Sequence, residues 1–292
     1  MGRDFKSEVL DFIGELAKKD LRPGTKETVP CDVFDETIRT GFIVHGFPEE
    51  SPEPDSPAHY GLLADLADRA GVRLIQIWED LWMTKKSIIQ SRLRSVYGKT
   101  ERIFARKTNI HTLDTPTANK FLVKNHLQEG AKAGFKYGLF YESDLVAVAT
   151  FSKGRAVKRE GIVFRSYEMI RYCSVLNTTI VGGLDKLLKH FIKEKQPDDI
   201  MTYADRDWSN GSVYEKLGFV KKEITPPQTF WVDPASGKRI FPNKIIGLMT
   251  GKGWISPDDK AFDSQKVLKS HGFKAVYNSG SLKLVLMLKA VV

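Results

Sequence analysis

Apolar residues recur at helical spacing in several stretches of the chain. In residues 8–16, for example, Val9, Leu10, Phe12, Ile13 and Leu16 fall on one face, which predicts an amphipathic helix. The same spacing predicts helices over residues 61–70, 84–96, 117–129 and 182–193, and a short helix over 211–217.

Between these stretches, β-branched and aromatic residues are bounded by polar turn residues, which is typical of strands. We expect a strand pair at 28–35 and 38–47, a buried strand at 72–78, and a hairpin over 137–151 that turns at 142–144. Further strands are predicted at 163–173, 200–204, 219–224 and 282–287. Four prolines predict a loop at 48–57, and residues 225–292 are interpreted as an appendage that completes the sheet.

Length and composition restrict the class of protein. A chain of 292 residues with 41% hydrophobic and 28% charged residues is typical of two globular domains and excludes disordered, fibrous and membrane-spanning classes. Two cysteines cannot build a disulfide scaffold or a cysteine-based zinc site, so a reducing compartment is expected. With no apolar run of about 18 residues and a charged N-terminus, we predict a cytoplasmic protein without a membrane partner.

Charge is divided unevenly along the chain. Residues 1–80 carry 9 Lys and Arg against 17 Asp and Glu, although the whole chain has a net charge of +9. A basic segment then follows, with one acid, Glu101, between residues 81 and 110. Such a segment is expected at a phosphate backbone, although a solvated helix face would have the same pattern. The candidate DNA-contacting residues are Lys85, Lys86, Arg92, Arg94, Arg102, Arg106 and Lys107.

Three local features in the second half indicate chemistry. Gly182 and Gly183 stand where a strand meets a helix, which suits either an anion site or a tight turn. Polar residues 203–207 (YADRD) follow an apolar strand, and they could line a cleft or cap the next helix. Residues 213–219 (VYEKLGF) end a helix at a glycine and pass directly into a strand.

The VYEKLGF stretch resembles the closing motif of the GNAT acyltransferases. The resemblance implies that Tyr214 is the general acid for a departing thiolate, with acyl-CoA (acetyl-CoA) or a related donor as cofactor. The strand near 167–175 and the VGGLDKLL helix resemble the segment that binds the donor's diphosphate, which implies cofactor contacts by Val181, Gly182, Gly183 and Lys186. The family's glycine loop, R/Q-x-x-G-x-G/A, differs from residues 178–183 of this chain.

Residues 118–219 resemble more closely the GNAT-like domain of phage DNA-modifying proteins of the Mom type. The same blocks occur in the C-terminal half of phage homing endonucleases. The resemblance implies active-site roles for Arg171, Asp205 and Tyr214, with His126 at the cleft edge. Asp205 could orient or deprotonate an amine, and Tyr214 could protonate a leaving group. Structural roles, such as an ion pair between Arg171 and Glu168, are the alternative.

The first 98 residues resemble a very-short-patch-repair type of nuclease domain. The match lies at residues 71–82 (GVRLIQIWEDLW), followed by the basic helix. Glu8 and Asp32 stand where the family has acidic residues, but one acid is replaced by Val44, and the family's histidine and lysine are also replaced. We therefore interpret the domain as a degenerate, DNA-positioning one. A divalent metal would be held by Asp32, Glu79 and Asp80 only if nuclease activity remains.

Together these readings predict an α/β (α+β) protein. A restriction-endonuclease-like domain at 1–98 would precede a GNAT-like mixed-sheet domain at 99–292, with a C-terminal extension from about 225. The leading hypothesis is a phage-type transferase that acylates or otherwise modifies a base amine in DNA and so protects the DNA from restriction. Trp208, Phe230 and Trp231 would either stack on an extruded base or lie in the core. The alternatives are a homing-type endonuclease with a GNAT-like DNA-binding half, and a non-catalytic DNA-binding protein. The sequence leaves the oligomeric state open.

Overall fold

A computed structural model describes residues 4–17, 21–24, 29–47, 56–256 and 262–289. The first part of the chain forms the helices α1 (Phe5–Ala17), α2 (Pro57–Arg69) and α3 (Glu79–Val96), and the strands β1 (Leu21–Pro23), β2 (Val33–Asp35), β3 (Thr40–His45) and β4 (Arg73–Trp78). Strand β1 was not predicted from the sequence, and most of the loop predicted at 48–57 lies outside the described residues.

The middle of the chain is mostly strands. It contains the strands β5 (Glu101–Phe104), β6 (Asn109–Thr112), β7 (Phe135–Tyr141), β8 (Asp144–Phe151), β9 (Arg155–Arg159), β10 (Ile162–Ser174), β11 (Thr178–Val181), β12 (Asp199–Asp205) and β13 (Val220–Ile224). The helices here are α4 (Thr115–Asn125), α5 (Gly183–Lys195) and α6 (Ser212–Glu215).

The last part adds the strands β14 (Thr229–Val232), β15 (Arg239–Ile240), β16 (Lys274–Tyr277) and β17 (Ser281–Met287), and the helices α7 (Ile245–Gly251) and α8 (Ser264–Ser270). The protein is therefore a mixed α/β protein, as predicted. No helix in the part of the chain that the structure describes is long and apolar enough to cross a membrane.

The chain folds into two compact units, each made of three separate stretches. The first unit comprises residues 1–86, 205–210 and 225–281, and the second comprises 87–204, 211–224 and 282–292. These units do not follow the expected division at residue 98. The stretch 225–281, interpreted from sequence as an appendage of the second domain, belongs to the first unit because its apolar side chains pack into that unit's core.

The first unit contains a four-stranded sheet in the order β1-β2-β3-β4 and a three-stranded sheet in the order β15-β14-β16. Strands β3 and β4 are parallel, and the other pairs in both sheets are antiparallel. The core joins early and late parts of the chain, since the rings of Tyr60 and Tyr277 stack 5.1 Å apart. Phe230 and Trp231 are 5% and 3% exposed, and Trp208 is 2% exposed, so all three aromatic candidates for base stacking are buried.

The second unit is built on a large mixed sheet in the order β13-β17-β12-β10-β8-β7-β6, with β9 paired to β10. A separate parallel pair joins β11 to β5. Helix α5 packs on the sheet through buried residues such as Leu187 and Phe191, and Phe191 stacks on Phe151 with 3.9 Å between ring centroids. This core fixes the start of α5 beside the centre of the sheet, where the candidate site lies.

Candidate active site

The parallel strands β10 and β12 separate partway along their length. They pair from Ser166 with Asp199 to Met169 with Thr202, and the pairing ends there. Strand β10 continues to Ser174 on its other partner, β8, after a register shift between Met169 and Arg171. Beyond the last pair the backbone of β10 has no ladder partner on β12. The Ile170 carbonyl there accepts a hydrogen bond from the Arg171 guanidinium at 2.7 Å. The other backbone N–H and C=O groups of this edge are candidates for binding another molecule.

Tyr214 lies at the point where these strands part. It belongs to the single-turn helix α6, which follows Gly211 (φ 85°), and its ring meets Phe219 edge to face at 5.8 Å. Its hydroxyl is within hydrogen-bonding range of the Thr202 hydroxyl, which itself donates to the Met169 carbonyl at 3.0 Å. The last paired residues of the two strands thus hold the phenol in place.

The environment of Tyr214 favours the protonated form of its phenol. Burial raises the pKa of this phenol, while the charge of Arg92 and the Thr202 hydrogen bond act in the opposite direction. The protonated phenol can donate a proton to a group that becomes basic during a reaction. Arg92 was expected from the sequence to contact DNA. In the structure it lies close enough to Tyr214, in the same unit, for its charge to lower the pKa of the phenol.

Two neighbours of Tyr214 on β10 have their pKa values raised as well. Burial raises the pKa of the Tyr172 phenol, whose oxygen receives a hydrogen bond from the backbone amide of Leu184 in α5. Burial also raises the pKa of the Cys173 thiol to about 12, despite the charge of Arg92. A thiol with so high a pKa is a poor nucleophile at neutral pH, so Tyr214 is the reactive group that this arrangement favours.

The start of α5 is a glycine-lined cradle. Strand β11 ends at Val181, Gly182 is left-handed (φ 77°), and helix α5 begins at Gly183 without a side-chain cap. A Cβ at Gly183 would lie 2.7 Å from the Tyr172 hydroxyl and 2.8 Å from Cγ2 of Ile180, so only glycine fits without a shift. The N-terminal amides of a 13-residue helix attract negative charge, as expected for an anion site.

Lys186, predicted to bind the cofactor, is engaged within the protein. Its ammonium donates to the carbonyl of Ala105 at 2.8 Å and to the carbonyl of Thr108. These bonds tie α5 to the 3-10 turn Ala105–Lys107, whose Ala105 side chain lies near Gly182. Because its donors are used, Lys186 orders this turn, and the exposed cations beside the cradle are Arg106 and Lys107.

Arg171 and His126 have local contacts. Arg171 donates to the Ile170 carbonyl at 2.7 Å, its Nε is buried without a hydrogen-bond partner among the described residues, and burial lowers its pKa against the charge of Glu168. His126 follows the end of α4, and its Nδ1 accepts a hydrogen bond from the backbone amide of Gln128 at 3.1 Å. This hydrogen bond of the His126 ring therefore joins two residues of the same turn.

Asp205 belongs to the first unit, whereas Tyr214 belongs to the second. Asp205 accepts a hydrogen bond from the Asp207 backbone amide at 3.0 Å. Burial and the Asp205 charge raise the pKa of Asp207 to about 8. The predicted catalytic carboxylate is therefore part of a buried cluster of acids in the first unit, and its assigned role as a base stays a prediction.

The three candidate metal ligands have other partners. Asp80 forms a two-pronged ion pair with Arg239, at 2.8 and 2.9 Å, and both side chains are buried. Asp32 pairs with Lys6 at 2.6 Å and accepts the Val44 backbone amide, while Glu79 starts α3. Within the described ranges no three His, Cys, Asp or Glu side chains are grouped in a way that could hold a metal ion.

The predicted DNA-contacting residues do not share one exposed face. Lys86 pairs with Glu8, Lys85 is half-buried, Arg92 acts on Tyr214, and Arg94 donates to Asn177 at 3.0 Å. The exposed members are Lys86, Arg102, Arg106 and Lys107, and the Arg106 guanidinium lies over the Phe104 ring at 5.2 Å. The basic pattern identified the segment, but several of its cations are half-buried or already paired.

Sequence reasoning missed Tyr172 and Thr202 as parts of the site. Both stand in apolar strand stretches, where no motif distinguishes them from core residues. Their importance depends on which strands are neighbours and where the pairing ends, and this is a tertiary property. The one available signal was the polar threonine inside the predicted strand 200–204.

No family model and no curated protein matches this chain. Among solved structures, it is similar to an acetyltransferase of Bacillus subtilis in complex with CoA, with 14% identity over 62% of this chain and 99% of that one, and a TM-score of 0.34. It is also similar to a GNAT family acetyltransferase of Elizabethkingia anophelis with acetyl-CoA bound, with 15% identity over 62% and 99% of the two chains and a TM-score of 0.32. The function proposed below therefore rests on the residues of the second unit.

Proposed function

We propose that the second unit transfers an acyl group from acyl-CoA to an amine, and that the acceptor is a base amine of DNA. The observation that carries the proposal is the half-buried phenol of Tyr214, whose pKa burial raises, at the point where β10 and β12 part. This arrangement combines an open strand edge, able to bind an extended arm, with a proton donor at its end.

The residues present fit an acyl-CoA donor. The uncapped backbone amides that begin α5 at Gly182 and Gly183 would bind the donor's diphosphate at the positive end of the helix. The unpaired edge of β10 beyond Met169 would bind the donor's amide-containing arm. When bound, acyl-CoA supplies a thioester carbonyl and a thiolate leaving group.

Tyr214 would hold the proton that the leaving thiolate needs. A phenol is protonated at neutral pH even at its ordinary pKa of about 10, and burial raises that pKa further, so Tyr214 carries the proton before the reaction. Transfer to a thiolate, whose thiol ordinarily has a pKa near 8.5, is uphill by that difference. Thr202 positions the phenol, and the charge of Arg92 would steady the phenolate that remains after proton transfer. Arg92 would therefore lower the free-energy cost of proton donation by Tyr214.

Charge supports a polyanionic acceptor. The whole chain has a net charge of +9 despite the acidic first 80 residues, and Arg102, Arg106 and Lys107 expose three cations in the second unit. Such residues bind phosphates irrespective of sequence. Acylation of a base amine would change the groove edge that restriction enzymes read, so protection of phage DNA is the role we propose.

The test uses Tyr214→Phe, which removes only the hydroxyl. We expect thiol release from acetyl-CoA in the presence of duplex DNA to fall roughly a hundredfold to ten-thousandfold, the usual contribution of a general acid. A mass-shifted nucleoside should disappear from the digested DNA with it. The control Tyr141→Phe removes a hydroxyl from β7 of the same unit and should leave both measurements unchanged.

Two results would overturn the proposal. One is a wild-type protein that releases no thiol from acetyl-CoA with DNA or with a small primary amine. The other is equal activity in wild type and Tyr214→Phe. Thiol release with the small amine but not with DNA would retain acyl transfer and exclude DNA as the acceptor.

A further inference from the structure

Strands β9 and β10 form a two-stranded ribbon beside the main sheet. Strand β9 pairs with residues 162–166 of β10, and β10 joins the rest of the sheet from Ser166 onward. Glu160 and Gly161 connect the strands, both with positive φ (48° and 83°), as in a tight two-residue hairpin turn. We call residues 153–166, the paired segments of the two strands with the two residues that lead into them, the basic ribbon.

One face of the basic ribbon is fixed to the second unit. Arg159 forms an ion pair of 2.7 Å with Asp199, whose side chain is fully buried and also accepts a hydrogen bond from Ser166 at 2.6 Å. Phe164, which is 1% exposed, lies under the Arg159 guanidinium at 5.1 Å and the Lys289 ammonium at 5.8 Å. These contacts hold the hairpin in one orientation before any partner binds.

The opposite face is open to solvent. Side chains alternate between the faces of a strand, so Ala156, Lys158, Val163 and Arg165 share this outer face, and all four are exposed. Val163 is 57% exposed, which is unusual for a β-branched residue in the middle of a strand. An apolar residue between two cations suits a partner that presents both negative charge and apolar groups.

The charge of the basic ribbon indicates the class of partner that it would bind. Residues 152–167 contain five cations, Lys153, Arg155, Lys158, Arg159 and Arg165, against the single acid Glu160 at the turn. Arg165 and Arg159 have partners inside the unit, whereas Lys153 and Lys158 extend from exposed positions. A pre-formed, positively charged two-stranded ribbon matches the width of the DNA major groove, about 12 Å.

We propose that the basic ribbon docks into the major groove of duplex DNA. Lys153 and Lys158 contact the phosphates that flank the groove, and Val163 with Ala156 contacts the base edges. This inference rests on the proposed function only for the choice of DNA as partner. It adds a second DNA contact to the exposed cations Arg102, Arg106 and Lys107.

The experiment measures binding of a fluorescent 20-base-pair duplex by anisotropy, at several salt concentrations. The variant is Lys153→Ala with Lys158→Ala. The matched control is Lys221→Ala with Lys222→Ala, which removes two exposed lysines from β13 of the same unit. We expect the ribbon variant to raise Kd about tenfold and to reduce the slope of log K against log salt by about 2, since each lost phosphate contact removes about 0.9. The control should change neither value appreciably.

Equal loss in both variants would overturn the proposal, because it would show a response to total charge. Wild-type protein that does not bind the duplex, or that instead binds a polyanionic protein through the ribbon, would also overturn it. Thiol release from acetyl-CoA with a small amine is measured on the same proteins and should be unaffected by the ribbon variant. If wild type releases no thiol but the ribbon variant still loses DNA binding, the proposed function fails and the ribbon proposal stands.

Discussion

Single residues in this protein retain or lose protons according to how they are buried. In the second unit, burial raises the pKa values of Tyr214, Tyr172 and Cys173, so these groups stay protonated at neutral pH. In the first unit, burial and the charge of Asp205 raise the pKa of Asp207, while Arg239 and the Ser279 backbone amide oppose that rise. The same physical cause thus gives a proton donor in one unit and a buried neutral acid in the other.

Asp207 makes the stability of the first unit depend on pH. Its pKa is raised from the ordinary 3.8 to about 8, so between these values the folded form binds a proton that the unfolded form has released. The free energy of unfolding from this group should therefore be largest below about pH 4 and fall as pH rises through 8, with a slope of at most about 1.4 kcal/mol per pH unit. Urea unfolding at pH 5, 7 and 9 measures it.

Asp207→Asn tests this dependence. The amide oxygen can still accept the Ser279 backbone amide, which now bonds Asp207 at 2.8 Å, but the side chain no longer titrates. We expect the fall in stability between pH 5 and 9 to become shallower, while the exposed control Asp144→Asn follows wild type. A variant whose stability falls as steeply as that of wild type would show that Asp207 is ionised in the folded protein.

At the scale of secondary-structure elements, the sequence predicted the helices and strands whose residue pattern is local. Helix α5 lies at Gly183–Lys195 against the expected 182–193, and the β7–β8 hairpin lies where it was expected. Strands β5, β9 and β11 were not predicted, because each is short. The residues of β5 and β9 are exposed or half-buried, and Ile180 is the one buried residue of β11, so neither apolar alternation nor a buried run marks them. Tyr214 could be singled out from a motif, whereas the end of the β10–β12 pairing could not be read from either strand alone.

Helix α5 and the turn Ala105–Lys107 form one structural element through Lys186. Lys186→Met keeps the length of the side chain but leaves the carbonyls of Ala105 and Thr108 without their donor, which typically costs about 1–3 kcal/mol. We expect lower stability to urea and faster trypsin cleavage after Arg106 and Lys107. Lys189→Met, which loses an exposed i,i+4 pair with Asp185, should cost at most about 0.5 kcal/mol. Equal effects of the two substitutions would show that Lys186 does not order the turn.

At the scale of the whole molecule, the chain leaves and re-enters the second unit at neighbouring strands. Residues 225–281 belong to the first unit, yet Ile224 and Leu282 are register partners in the antiparallel pair β13–β17. Residues 225–281 therefore stand where a hairpin turn would otherwise connect β13 to β17. A linear reading of the sequence cannot find this, because the local patterns of residues 225–281 do not indicate which core they join.

This arrangement predicts how the molecule can be divided. A variant of residues 87–289 in which 225–281 is replaced by Asn-Gly should fold cooperatively, since two residues of this type close an antiparallel pair. The simple fragment 99–292 should aggregate, because it lacks the fully buried Ile89 and Leu93 and exposes Phe230 and Trp231 without residues 1–86. Thermal unfolding followed by circular dichroism, with light scattering of both fragments, measures the difference. Cooperative unfolding of 99–292, or its absence in the Asn-Gly variant, would show that the second unit does not fold independently along these boundaries.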